Sequence, residues 1–209
     1  MNSSLVQKWE KYLPFDINPL QLEDFFANRK IYPNTLPQTE RGFWLFSLLL
    51  REKLEKILPS EEKIKRLILS SKVLSPFPTL PLFLLFLIDT LQPKSVLEVF
   101  LKEGKKRIGT VISLEDIDWK KEEIGRFDLL LKGKKQTVRL RAGEISLLKL
   151  KEGEELTLEF YLRGAKIEGK SKTKISVLGG KVGVVIDSRG RPIRFEDRER
   201  IKRWVEVFK

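Results

Sequence analysis

Gly179-Gly180-Lys181-Val182-Gly183-Val184-Val185-Ile186-Asp187-Ser188-Arg189-Gly190-Arg191-Pro192-Ile193 is the stretch on which the reading of this chain turns. Its fifteen residues hold four glycines, a short apolar run, one aspartate, two arginines and a proline. Backbone geometry accounts for most of them. Val182–Ile186 is apolar and β-branched, which predicts a strand, and Gly183 inside it predicts a bulge or the close approach of another backbone. Asp187-Ser188-Arg189-Gly190 fits a type I turn, with Asp in first place and Gly in fourth. The Asp187 carboxylate can accept from backbone N–H groups two or three residues on. Asp187 and Gly190 are therefore the turn-defining residues, and Pro192 is expected to open an edge segment that needs no donor. Arg189 and Arg191 are left over. A guanidinium recognises carboxylate or phosphate bidentately, so the pair are candidates for binding an acidic partner; the competing expectation is that they pair internally with Asp187 and Glu196.

The stretch is not a phosphate loop. GGKVG lacks the GxxxxGK[ST] pattern, and its glycines lead into a strand rather than a helix N-terminus.

Working outward, the chain changes character near residue 104. Before it, helical periodicity dominates. Ser3 and Ser4 offer caps for a short helix through Leu13, with Leu5, Trp9 and Leu13 on one face. Asn18-Pro19 predicts a helix over Pro19–Asn28, and prolines 33 and 37 hold Tyr32–Thr39 extended. Thr39 caps the longest helix, Glu40–Leu58, in which Glu52 and Lys56 are spaced to pair. Ser60 begins a further short helical stretch. Leu67–Leu69, the apolar helix Leu82–Leu91 and Val96–Leu101 then read as strand–helix–strand, a small α/β layer. After Gly104 the period becomes two. Strands are expected at Arg107–Leu114, Phe127–Leu131, Gln136–Arg141, Ile145–Leu150 and Leu156–Arg163, with Gly164–Lys174 as an exposed basic loop. An amphipathic helix over Glu196–Phe208 buries Ile201, Trp204, Val205 and Phe208. The fold class expected is α+β: a mainly helical α/β part over residues 1–104, then a basic domain over residues 105–209 built as a compact antiparallel β-barrel or sandwich with a closing helix.

Composition bounds the chemistry. The 209 residues include 41 Lys and Arg against 29 Asp and Glu, one Met, no Cys and no His. The first 104 residues carry a net charge of +2 and the remainder +10. Without Cys there is no disulfide, thiolate nucleophile or Cys-ligated zinc. Without His the commonest acid–base group near neutral pH is missing. No cofactor or metal is expected. Charged residues make up 33 % of the chain, which is thermophile-like usage. The most apolar run, Leu80–Ile88, is far shorter than the ~20 residues of a membrane span, and Met1–Glu10 carries no secretory pattern, so a cytoplasmic location is expected.

The excess charge names an alternative function. Lys132, Lys134, Lys135, Arg139, Arg141, Lys170, Lys172 and Lys174 would form a nucleic-acid patch, with Phe160 and Tyr161 beside them as stacking candidates. A carboxylate- or lysine-dependent enzyme is a third reading. It would use Asp187 or Asp89, which ends the most apolar helix, where burial raises a carboxyl pKa.

Four pieces, in order, carry a family resemblance. They are Ala27-Asn28-Arg29 with Pro33-Asn34-Thr35-Leu36-Pro37-Gln38-Thr39, then Leu50-Arg51-Glu52, then Leu87-Ile88-Asp89-Thr90-Leu91-Gln92-Pro93, then Gly179–Pro192 with its closing Trp-containing helix. Together they resemble the C-terminal part of the glutamate mutase L (MutL-like) accessory proteins, whose chains begin with an actin/Hsp70-like ATPase half. The resemblance covers about residues 15–209 and implies a C-terminal part standing without that half, and Leu69-Ser70-Ser71-Lys72-Val73 stands where the family has a glycine-rich turn. Without glycines the backbone does not easily approach a phosphate, so ATP binding is not carried over. The resemblance implies a non-catalytic accessory or assembly module that binds a protein partner, either a separate ATPase subunit or a mutase-type enzyme.

Overall fold

Asn18 caps α1 (Pro19–Ile31), its side chain accepting from Leu20 N at 2.9 Å, with Pro19 in the first turn where no donor is needed. The Thr39 hydroxyl accepts from Gly42 N at 3.0 Å at the start of α2 (Glu40–Ile57), and Glu52 and Lys56 pair at 2.8 Å along it. α3 (Leu80–Leu91) is capped by Thr79 and buried from Leu82 through Asp89. The computed structural model of the chain describes residues 9–57, 64–195 and 197–209. The helix start expected at Ser3 and Ser4 and the short helix at Ser60 lie outside the described residues; Trp9 and Leu13 are buried.

Among the described residues nine strands follow the order β1 (Arg66–Leu69), β2 (Val96–Leu101), β3 (Arg107–Ser113), β4 (Glu123–Leu131), β5 (Lys134–Arg141), β6 (Ile145–Leu148), β7 (Glu155–Leu162), β8 (Lys172–Leu178) and β9 (Gly183–Asp187). They form a mixed five-stranded sheet in the order β1-β2-β3-β9-β6 and an antiparallel four-stranded sheet in the order β5-β4-β7-β8. β1 and β2 are parallel and joined through α3, as the strand–helix–strand spacing predicts. β3 and β9 are the second parallel pair.

The five-stranded sheet is the middle of three layers. β9 shows why its sequence is apolar without alternation. Val185 joins the core beneath the helices, with Leu84, Leu97, Val111 and Trp204. Val184 and Ile186 join the second core, with Phe127, Leu158 and Phe160 from the four-stranded sheet. A strand covered on both faces has no solvent side to be polar. α4 (Arg198–Val207) starts at the Asp197 cap and buries Ile201, Trp204 and Val205, followed by Phe208, as its spacing predicts.

The fold is α+β, with two corrections of detail. No barrel closes: β5 and β8 are the separate edges of the four-stranded sheet. The segment Gly164–Lys174 is not all exposed loop, because Ala165 and Ile167 are buried and β8 begins at Lys172. Lys172 and Lys174 hid that strand, since an outward-facing edge position reads as loop until Ile175 and Val177 reveal the alternation. The step in charge near residue 104 falls in the turn between β2 and β3, which are hydrogen-bonded neighbours, so the sheet is continuous across it.

Gly183 confirms the expected close approach. Its φ is +110°, and a Cβ there would stand 2.2 Å from the Leu148 carbonyl oxygen. Gly133, in the β4–β5 turn, also has a positive φ of +76°, but a Cβ there meets nothing within 4 Å. Gly183→Ala should therefore cost about 3 kcal/mol or more, and Gly133→Ala only the local backbone strain of about 1 kcal/mol. Urea denaturation of the two variants checks this; equal losses would contradict the packing described.

Candidate functional site

After β9 the Asp187 carboxylate caps the backbone two residues on, as its sequence predicts, while the turn itself runs over residues 190–193 rather than 187–190. Asp187 Oδ1 accepts from the Arg189 backbone N at 3.0 Å, and Gly190 takes a φ of +74°. The two arginines then go inward, which corrects the expectation that they face an acidic partner. Arg189 grips Asp187 bidentately, Nε to Oδ1 at 2.9 Å and Nη2 to Oδ2 at 3.0 Å. Its Nη1 reaches Asp89 Oδ1, 100 residues away, at 2.7 Å. The guanidinium lies 4.6 Å from the ring centroid of Trp204, and both Arg189 and Asp187 are fully buried. Arg191 donates Nη2 to Asp187 Oδ2 at 2.9 Å and to Ser113 Oγ at 2.8 Å, Nε to the Pro93 carbonyl at 2.9 Å, and Nη1 to the Gly190 carbonyl at 2.7 Å. Internal pairing with Asp187 is thus seen, while Glu196 lies outside the described residues.

Two further connections complete the knot. Arg51 of α2 donates to the Asp89 carbonyl at 2.6 Å and stacks 3.9 Å from the Tyr12 ring centroid. Gln92, in left-handed conformation at the end of α3, accepts from Ile193 N at 2.9 Å. Helices α2, α3 and α4 and strands β3 and β9 all meet here. So do three of the sequence pieces singled out above: Leu50-Arg51-Glu52, the Asp89–Pro93 segment, and Asp187–Pro192 with its Trp204 helix.

Burial alone would push the Asp187 carboxyl up; the charges of Arg189 and Arg191, with hydrogen bonds from Arg189, outweigh it and hold the group well below the usual carboxylate range. Burial likewise opposes the Arg189 charge, and Asp187 and Asp89 more than restore it. Burial pushes the Asp89 carboxyl up, against the pull of Arg189 and Arg51. Asp187 is thus an ionised acceptor enclosed by donors, with no lone pair turned toward a substrate. Both carboxylates weighed for acid–base chemistry are engaged in the arginine network.

Two surfaces remain open. The first is apolar. Leu20 and Ile31 on α1 are each 66 % exposed, and Tyr32 and Leu36 just after it are 64 % and 50 % exposed. Eleven residues at 100° each return to the same side of a helix, so Leu20 and Ile31 share a face. Tyr32 and Leu36, with Phe25, Pro37 and Phe46, line a cleft of about 200 Å³. Arg29 holds the connector in place, donating to the Tyr32 and Thr35 carbonyls while stacked 4.4 Å from the Phe46 ring centroid.

The second surface is the outer side of the four-stranded sheet. Of the eight basic residues named from the sequence, Lys132, Lys134, Lys135, Arg139 and Arg141 belong to β5 and its turn, at one edge. Lys170, Lys172 and Lys174 belong to β8 and its approach, at the other. Several are offset by carboxylates: Lys132 by Glu154 at 2.8 Å, Lys135 by Asp128 at 2.8 Å, Lys174 by Glu159 at 3.3 Å, Arg139 by Glu123 at 3.7 Å and Arg141 by Glu122 at 3.8 Å. Between the edges stand Tyr161 and Arg126. The strand expected at Phe127–Leu131 begins earlier, at Glu123, which brings Arg126 into β4 with its side chain on the outer side, opposite in sense to Phe127.

The end of β1 holds no anion site open. Glu103 fills it from within the chain, accepting from Ser71 N at 2.8 Å and from Ser70 Oγ at 3.0 Å. Among the described residues no group of three or more acidic or other ligating side chains is placed to hold a metal ion, and no helix is long and apolar enough to cross a membrane. No protein-family model, curated protein or solved structure matches the chain.

Asp187→Asn removes one charge from a buried network and should cost about 3–5 kcal/mol near neutral pH. Because the folded state depresses the Asp187 pKa, its contribution is complete above the unfolded value of about 3.9 and is lost as pH falls toward the folded one. Urea unfolding between pH 2.5 and 7 should therefore show wild type and Asp187→Asn converging below about pH 4. A gap independent of pH would contradict the assignment.

Proposed function

We propose that this chain is an accessory module that binds a protein partner through the apolar surface of α1 and the connector that follows it. The observation that carries the reading is the exposure of Tyr32 and Leu36, which line a cleft with Phe25 and Phe46, together with the exposed Leu20 and Ile31 of α1. Leaving four large side chains half or more exposed gives up part of a burial worth roughly 1.5–3 kcal/mol for each one fully buried, and exposed apolar surface of this kind is what a partner can cover. Arg29 supports it, because it spends its donors on the connector carbonyls and so presents Leu36 and Tyr32 on a held backbone.

The resemblance to glutamate mutase L proteins supplies the class of partner: a separate ATPase subunit or a mutase-type enzyme. The convergence of three of its sequence pieces on one buried knot supports a role for those pieces in architecture. An accessory role without catalysis is consistent with Asp89 and Asp187 being committed to arginine.

Affinity purification of the tagged chain at native abundance tests the reading. Wild type should retain one partner at stoichiometric amount, and Tyr32→Glu with Leu36→Glu should lose it while melting at an unchanged temperature. A chain that elutes as a monomer without a partner, or a partner kept equally by the double variant, would overturn the proposal.

A further inference from the structure

The outer side of the four-stranded sheet is laid out as three rows that cross its strands. Register places Arg139, Arg126, Tyr161 and Lys172 in one row; Thr137, Asp128, Glu159 and Lys174 in the next; and Lys135, Leu130, Thr157 and Ser176 in the third. The middle row balances itself. Asp128 is held by Lys135 at 2.8 Å and Thr137 at 2.7 Å, and Glu159 by Lys174 at 3.3 Å and the Tyr161 hydroxyl at 3.3 Å.

The first row does not balance. Arg139 and Arg126 are directly opposite each other on β5 and β4, an arrangement that destabilises a sheet. Among the described residues Arg139 has only Glu123 as an ionic partner, at 3.7 Å, and its side chain is 80 % exposed. Arg126 and Lys172 have no carboxylate within 4 Å among the described residues; both instead stand against Tyr161, 5.4 and 5.2 Å from its ring centroid. Three exposed cations and a phenol ring thus run across four strands, a span of ~14 Å at ordinary strand spacing. The like charges of that row are left largely uncompensated within the chain, and an anionic ligand would offset them.

The geometry points to this face as a binding site for single-stranded nucleic acid, with Arg139, Arg126 and Lys172 taking backbone phosphates and Tyr161, with the Arg126 plane beside it, stacking a base. An open four-stranded sheet with a central aromatic suits unpaired bases, whose rings are free to lie on it. The face carries no helix or ribbon to enter a duplex groove. The site is separate from the apolar surface of α1, and the basic residues that the sequence groups together contribute only in part: Lys132, Lys135 and Lys174 are taken up by Glu154, Asp128 and Glu159.

Fluorescence anisotropy with the full chain and a labelled 20-nucleotide oligouridylate tests the site, with an oligothymidylate, a duplex of equal length and phosphatidylserine vesicles as competitors. Wild type should bind both single strands at 50 mM salt, with log affinity falling linearly in log salt. The triple variant Arg126→Ser, Arg139→Ser, Lys172→Ser should bind at least ten-fold more weakly and lower the slope by about 2. Tyr161→Ala should weaken binding about ten-fold with the slope unchanged, since stacking releases no counterion. Lys11→Ser, Lys30→Ser, Lys53→Ser removes the same charge from the helical layer and should leave affinity unchanged. Near-identical melting temperatures establish that the exposed substitutions leave the fold intact. No binding at 50 mM salt, equal loss in both triple variants, or stronger competition by duplex or vesicles would overturn the proposal.

Discussion

One enclosed guanidinium organises this molecule. Arg189 is fully buried, bidentate on Asp187, single-bonded to Asp89 and stacked on Trp204. Those partners come from β9, α3 and α4, so the one side chain ties the helical layer to the central sheet and to the C-terminal helix. A buried cation of this kind is tolerable only when its donors are met and its charge is opposed. The network opposes the charge with Asp187 and Asp89, while Arg51 donates to the Asp89 carbonyl and Arg191 to the Pro93 and Gly190 carbonyls and to Ser113. Removing a member leaves its partners charged and dry, which makes the knot a device for specifying one arrangement as much as for stabilising it.

The three-layer design follows from the same place. β9 must be apolar on both sides because helices cover one face and the four-stranded sheet the other, and Gly183 must be glycine because the β6 backbone comes within the reach of a Cβ. These local demands were readable. The strand, the Asp187 carboxylate capping the Arg189 N–H, the caps at Asn18 and Thr39, the Glu52–Lys56 pair and the buried stripe of Ile201, Trp204, Val205 and Phe208 are all short-range consequences of periodicity and turn chemistry.

What stayed hidden is long-range. Nothing near Arg189 in sequence indicates that its partner is Asp89, because a guanidinium on a turn looks the same whether it faces water or a carboxylate 100 residues away. β8 was missed for a related reason: Lys172 and Lys174 belong to an edge strand with its outer side in solvent, and only pairing with β7 distinguishes that from a loop. The basic patch suffered in both directions. Counting lysines grouped Lys132 with Lys174 although they stand at opposite edges, and passed over Arg126, whose relation to Arg139, Tyr161 and Lys172 exists only once the register is set. Surfaces are where this molecule meets others, and their composition is assembled from strands far apart in the chain.

Since the ionic knot, the β2–β3 pairing and the core beneath the helices all join residues on either side of the charge step near residue 104, the chain should unfold as one unit. Scanning calorimetry of the full chain is the most direct measurement. The account predicts a single transition whose calorimetric and van't Hoff enthalpies agree, in a ratio of about one. Two resolved transitions, with the helical layer melting apart from the β layers, would contradict it.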